Sequence, residues 1–98
     1  MSLRREQKLN TFHLQIVTPS GLVFDDNAGA VTVRTAAGDI GILAGHADYV
    51  APVINGTARV TYTNGDVKTA LCDGGLVSVK HGVVRLVTEK FEWNGDTK

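Results

Sequence analysis

Phe12, Leu14 and Ile16 alternate with His13 and Gln15, a period of two that places one set on each face of a half-buried strand. Pro19-Ser20-Gly21 predicts a turn, with proline presetting φ and glycine free to take a positive value. Leu22 and Phe24 resume the alternation until Asp25-Asp26-Asn27 interrupts it. Val31 and Val33 share one side of the next strand, Thr32 and Arg34 the other, and Ala37-Gly38 ends it. In the second half, Asn64-Gly65 between Ala58–Thr63 and Asp66–Cys72 predicts a two-residue type I′ hairpin. That register pairs Tyr62 with Val67 and Val60 with Thr69. His81-Gly82 predicts a second hairpin that sets Val79 against Val84 and Val77 against Leu86.

No window shows the i, i+3, i+4, i+7 stripe of an amphipathic helix. The pattern therefore predicts eight to ten short strands, all antiparallel, each hiding one face. Two packed sheets meet that need, so the fold class is all-β, a β-sandwich or flattened barrel.

Ninety-eight residues are one domain's worth of chain. Residues 1–10 read as a flexible N-terminal tail, 11–93 as the domain and 94–98 as a C-terminal tail. The 10 basic and 10 acidic residues cancel, so no general attraction for nucleic acid is expected. The longest apolar run, Tyr49 to Ile54, is far short of the roughly 20 residues of a membrane-spanning helix. Membrane contact is expected only through another protein. The start of the chain lacks the apolar stretch of a secretory signal, and the lone Cys72 excludes an internal disulfide.

Candidate chemistry is sparse. Asp25 and Asp26 are sequence neighbours near a strand, so their carboxylates leave opposite faces. Cys72 lacks a histidine placed to activate it and reads as a small core residue. Ser20 sits in a Pro-Ser-Gly turn instead of a Gly-x-Ser-x-Gly elbow. His13, His46 and His81 are scattered; His46-x-Asp48 offers two metal ligands without a third, and His81 reads as a turn residue. Gly38-Asp-Ile-Gly-Ile-Leu-Ala-Gly45 lacks the Gly-Lys-Ser/Thr ending of a phosphate loop.

That glycine-rich segment, continued through His46-Ala47, resembles the Gly-x-Leu-Gly-Ile-Leu-Pro-Gly-His-Ala motif of the epsilon subunits of F-type ATP synthases. Phe12-His-Leu-Gln-Ile-Val-Thr-Pro-Ser-Gly-Leu-Val-Phe24 resembles the opening strand pair of that family. Asp73-Gly-Gly-Leu-Val-Ser-Val79, followed by Val83–Thr88, resembles its later hairpin. Three blocks in the family's order span about residues 11 to 93.

The resemblance implies a ten-stranded antiparallel β-sandwich and a non-catalytic rotor subunit of the central stalk. It implies two direct partners, the gamma subunit and the membrane c-ring, with the F1 catalytic head engaged indirectly. Ion translocation would be coupled to ATP synthesis or hydrolysis through this link. The implied location is peripheral, on the cytoplasmic face of the prokaryotic inner membrane. No cofactor, metal or ATP site is expected. Four residues transfer as rotor-interface candidates. Asp39 takes the acidic place facing the c-ring loops, Gly41 and Gly45 shape the loop, and His46 lies toward gamma and the c-ring. Ala44 and Asp48 replace usual prolines, which loosens the loop. Gly45-His-Ala-Asp48 looks closer to an alternate prokaryotic F-type ATPase group, leaving proton and sodium both open as the coupling ion. The C-terminal helical hairpin common in the family would begin near Asn94. The alternatives are a generic β-sandwich module for a peptide or carbohydrate, which would need an aromatic platform, and a small hydrolase using Ser20, Cys72 and His46.

Overall fold

The computed structural model describes residues 10–94; both expected tails, apart from residues 10 and 94, lie outside them. Ten strands follow one another along the chain. They are β1 (Phe12–Thr18), β2 (Gly21–Ala28), β3 (Ala30–Thr35), β4 (Gly38–Leu43) and β5 (Tyr49–Val53), then β6 (Gly56–Thr61), β7 (Val67–Cys72), β8 (Gly75–Lys80), β9 (Val83–Val87) and β10 (Phe91–Trp93). Two five-stranded sheets pack face to face, ordered β2-β1-β9-β8-β5 and β10-β7-β6-β3-β4. No described residue is helical.

The core follows from the alternation. Leu14 and Ile16, with Val77, Val84 and Leu86, line the inner face of the first sheet, and Val31, Val33, Ile42 and Val60 that of the second; all are at most 1% exposed. Each such side chain contributes about 1.5–3 kcal/mol of burial free energy, which is what holds the two sheets together. Their neighbours His13, Thr32, Arg34 and Arg85 remain at the outer surface, as a period of two requires.

Two expectations need correction. The strands are not all antiparallel, because β1 and β9 run parallel, with Leu14 opposite Val84 and Ile16 opposite Leu86. Hairpin signals fix direction only between chain neighbours. These two strands are separated by most of the domain, so no turn between them records their relative direction. The other correction concerns Asn64-Gly65, which closes a longer turn than the two-residue reading requires. Tyr62 pairs with Asp66 through a 2.7 Å backbone bond, and the Gly65 amide donates to the Tyr62 carbonyl at 2.9 Å. The register slips by one, so Val60 faces Lys68 and Arg59 faces Thr69. A type I turn followed by one left-handed residue needs positive φ only at Gly65, which has φ +94. Asn64 instead uses its side chain, accepting the Asp66 amide at 2.9 Å. The His81-Gly82 hairpin forms as predicted, with φ of 51 and 79 and Val79 opposite Val84.

The open sides of the sandwich close differently. Phe24 of β2 meets Tyr62 at 5.7 Å and Trp93 of β10 at 6.2 Å between ring centroids. Phe91 adds a T-shaped contact to Trp93 at 5.0 Å. This seals one edge with aromatic area. On the opposite edge the segment 44–48 passes from β4 to β5, and the Ile54 amide bonds to the Arg34 carbonyl at 2.9 Å.

Candidate functional site

Strand order gives the sandwich two ends. One carries Ser20, the Ala36-Ala37 turn, Asn55 and the Asp73-Gly74 turn; the other carries segment 44–48, the Asn64-Gly65 turn and His81-Gly82. Three of the four interface candidates divide between them, and the fourth lies midway. Asp39 lies beside the Ala36-Ala37 turn at the Ser20 end, where its exposed carboxylate accepts a 3.1 Å hydrogen bond from Arg34 Nε. Gly41 sits midway along β4 opposite Thr32, where a Cβ would meet only the Thr32 hydroxyl at 3.7 Å. Gly45 and His46 lie at the other end, about 13 Å of strand beyond Asp39.

Segment 44–48 is locally determined. Gly45, at φ +84, lets the His46 amide bond to the Leu43 carbonyl at 3.2 Å. The half-buried His46 ring packs edge-on against Tyr49 at 5.7 Å, and its Nδ1 lies 2.8 Å from the Ala47 carbonyl. Asp48 accepts the His81 amide at 3.0 Å, tying the segment to the β8–β9 turn. This bond partly replaces the restraint a proline would give.

The hydrolase constellation does not assemble. Ser20 and Cys72 belong to one end and His46 to the other. Cys72 is buried, its thiol directed at Thr88 Oγ1 at 3.4 Å, and burial pushes its pKa up, away from the reactive thiolate. Beside it, a shallow cleft of about 400 Å³ opens among Thr57, Leu71, Asp73, Lys90 and Glu92. Among the described residues, no three His, Cys, Asp or Glu side chains are grouped to hold a metal ion.

The feature that the sequence reading missed lies on the outer face of the first sheet. Leu22 pairs with Val17, Val17 with Val87, Val87 with Leu76, and Leu76 with Pro52. The five form one apolar row across all five strands, near the Ser20 end. Leu22 is 54% exposed, and Val87 and Leu76 are each 45% exposed. The adjoining row is polar over four strands, with Asp25, Gln15, Arg85 and Ser78, and ends on β5 in the exposed Val50. Asp25 Oδ1 contacts His13 Nε2 at 2.5 Å, and Arg85 Nη2 donates to Gln15 Oε1 at 3.0 Å. The His13 hydrogen bond holds the Asp25 carboxyl below its usual range. Each member of the apolar row is unremarkable within its own strand; only the register lines them up.

Comparison with known proteins agrees with this architecture. Residues 11–94 match the family described as ATP synthase, Delta/Epsilon chain, beta-sandwich domain. The ATP synthase epsilon chain of Alkaliphilus oremlandii is 38% identical over 84 residues, 86% of this chain and 62% of that one. The ATP synthase epsilon chain of Staphylococcus aureus (strain JH9) is 36% identical over 85 residues, 86% of this chain and 63% of that one. This chain thus spans less than two thirds of the length of these relatives. A chain in the Euglena gracilis mitochondrial ATP synthase structure (OSCP/F1/c-ring) superposes with TM-score 0.81 and 27% identity, covering 85% of this chain and 53% of that one. One in the Tetrahymena thermophila central stalk and c-ring structure gives TM-score 0.71 at 16% identity, over 86% of this chain and 67% of that one, a likeness of fold. With a family match across almost the whole described region and relatives above one-third identity, the chain belongs to the beta-sandwich domain family of ATP synthase delta and epsilon chains.

Proposed function

We propose that this chain is a non-catalytic rotor piece of an F-type ATP synthase, joining the gamma subunit to the membrane c-ring. It would work as part of a complex held at the membrane, on the cytoplasmic face in a prokaryote, and would bind no cofactor. The observation that carries the reading is the apolar row Leu22–Val17–Val87–Leu76–Pro52, exposed at every member but the half-buried Val17 and offered by a domain that already has a closed core. A contiguous apolar surface on a small, folded domain marks a protein contact. The relatives are ATP synthase epsilon chains and a similar chain belongs to an OSCP/F1/c-ring structure, which supports a partner within such a complex; gamma is the partner we take for this row.

Asp39 stands near the same end but on the outer face of the other sheet. That placement suits a second contact, with the polar loops of the c-ring. Gly41 keeps the β4 face flat beside it, whereas Gly45 and His46 serve a contact at the far end, on the gamma side. The experiment is to assemble the complex with Asp39→Asn or Asp39→Arg and measure ATP-driven ion pumping against ATP hydrolysis. Reduced pumping per ATP with an unaltered domain melting temperature is expected. Unchanged coupling in both variants would remove Asp39 from the interface.

A further inference from the structure

Asn64-Gly65 shapes a turn, and the pair also carries a chemistry of its own. When glycine follows asparagine, the glycine nitrogen can attack the asparagine carboxamide, because no Cβ crowds the approach. The chain holds three such pairs, Asn55-Gly56, Asn64-Gly65 and Asn94-Gly95, and Gly95 lies outside the described residues. The fold treats the other two differently. Gly56 opens the inner strand β6 opposite Cys72, and a Cβ there would sit 3.0 Å from Arg34 Cδ. Ring closure on its nitrogen therefore requires that end of β6 to leave the sheet. Asn64 and Gly65 are both exposed at the tip of the β6–β7 hairpin, and nothing lies within 4 Å of a Cβ at Gly65. A ring can close there without disturbing the core.

Asp66 restrains the reaction. Its backbone amide donates to Asn64 Oδ1 at 2.9 Å, and its Oδ2 accepts a hydrogen bond from Asn64 Nδ2 at 3.2 Å. Both ends of the carboxamide are thus held on the Asp66 side. The nucleophile is held as well, since the Gly65 amide donates to the Tyr62 carbonyl at 2.9 Å. The attacking nitrogen must give up that proton, and the neighbouring Asp66 carboxylate disfavours the anion so formed.

We propose that Asn64 is a self-modification site of the folded chain, converted slowly to aspartate and isoaspartate and restrained by its clamp on Asp66. Hydroxide takes the Gly65 amide proton, and the nitrogen bonds to Asn64 Cγ. The Cγ–Nδ2 bond then breaks, and Nδ2 leaves as ammonia with a proton from water, giving a five-membered cyclic imide. Water adds to one of the two imide carbonyls and opens the ring. Opening at the side-chain carbonyl leaves an ordinary aspartate; opening at the main-chain carbonyl routes the backbone through the side chain as isoaspartate. Either product adds a negative charge to a chain of zero formal charge and replaces the Nδ2 donor facing Asp66 with a second carboxylate. Isoaspartate also lengthens the main chain by one methylene between Tyr62 and Asp66. Their 2.7 Å bond registers β6 on β7, the pairing that places the buried Val60. The inference does not depend on the rotor role.

The test incubates the whole 98-residue chain at pH 8, folded and in urea, and follows by mass spectrometry the exchange of amide for carboxyl at each asparagine. In urea, Asn55 and Asn64 should react at similar rates. In the folded chain Asn64 should react about 30-fold more slowly than in urea, a factor of about five for each of the two hydrogen bonds, to Gly65 N–H and Asn64 Oδ1, that must open. Asn55 should be slower still. Asp66→Ala, shown to be folded by circular dichroism, should speed Asn64 about fivefold in the folded chain and leave Asn55 within about twofold. Asp66→Asn keeps an acceptor without the charge and should give a smaller increase; should Asp66→Ala fail to fold, this variant decides. Folded Asn64 reacting as fast as in urea, or unchanged or slower in both Asp66 variants, overturns the clamp. Product at Asn55 before Asn64 in the folded chain, or product at Asn64 in urea alone, overturns the site.

Discussion

Gly75 opens β8, and a side chain there has no room. A Cβ built on its backbone would lie 1.9 Å from the Val87 carbonyl oxygen and 2.8 Å from the Thr88 Cα, at φ +126. Both obstacles are backbone, so neither can swing aside. Restoring an ordinary contact of about 3.4 Å requires β8 and β9 to separate locally by about 1.5 Å, which breaks ladder hydrogen bonds of usual length near 2.9 Å. Gly75→Ala therefore combines strain of about 1–3 kcal/mol for the backbone conformation with about 1 kcal/mol for each lost hydrogen bond. It also loosens the packing of Val77 against Leu86, so about 4 kcal/mol or more in total is expected, at the extreme of single substitutions. At about 4–8 °C per kcal/mol for a domain of this size, the melting temperature should fall by roughly 15–30 °C. Gly65→Ala is the control, because its φ is +94 yet nothing lies within 4 Å of its Cβ. It should cost only about 1 kcal/mol of backbone strain. Thermal unfolding followed by circular dichroism measures both. Equal losses in the two variants would show that backbone conformation alone matters at Gly75 and that the close approach of β8 to β9 is not as described.

Other consequences are smaller and independent. Leu86→Ala removes a fully buried side chain from the middle of the first sheet and should cost about 2–5 kcal/mol in urea denaturation. Asp25 has its pKa lowered from 3.8, first by the His13 hydrogen bond, so its folded carboxylate is favoured over the unfolded one. The resulting stability is present above pH 3.8 and is lost as pH falls through the lower folded value. Asp25→Asn should thus lower the urea midpoint at pH 6, with the difference shrinking as the pH falls below 3.8. Cys72, buried and with a raised pKa, should resist a thiol-specific reagent at pH 8 in the native protein and react at once when the chain is unfolded.

Much of the architecture was legible locally. The alternation at Phe12, Leu14 and Ile16 and at Val31 and Val33 identifies residues that are all buried. The His81-Gly82 hairpin carries its register in two adjacent residues that tolerate positive φ. What was not legible is what depends on pairing between distant segments. The parallel contact of β1 with β9 joins residues near 14 to residues near 84, and no turn chemistry records it. The Asn64-Gly65 turn misled by one residue because the same dipeptide serves two turn types, and the Asx bond to Asp66 decides between them. The apolar row was missed for a related reason. Leu22, Val87 and Leu76 each look like strand residues of either facing until the register places them side by side. The separation of Asp39 from His46 by the length of β4 likewise needs the strand to be drawn straight.

Association with gamma is the most direct test of the rotor role. Titration of purified gamma subunit with the folded chain, followed by isothermal calorimetry, should give a one-to-one complex with a dissociation constant at or below about 1 μM. The heat-capacity change should be negative, as apolar burial requires. No detectable heat or co-migration at tens of micromolar, with both proteins shown to be folded, would contradict the role assigned to this chain.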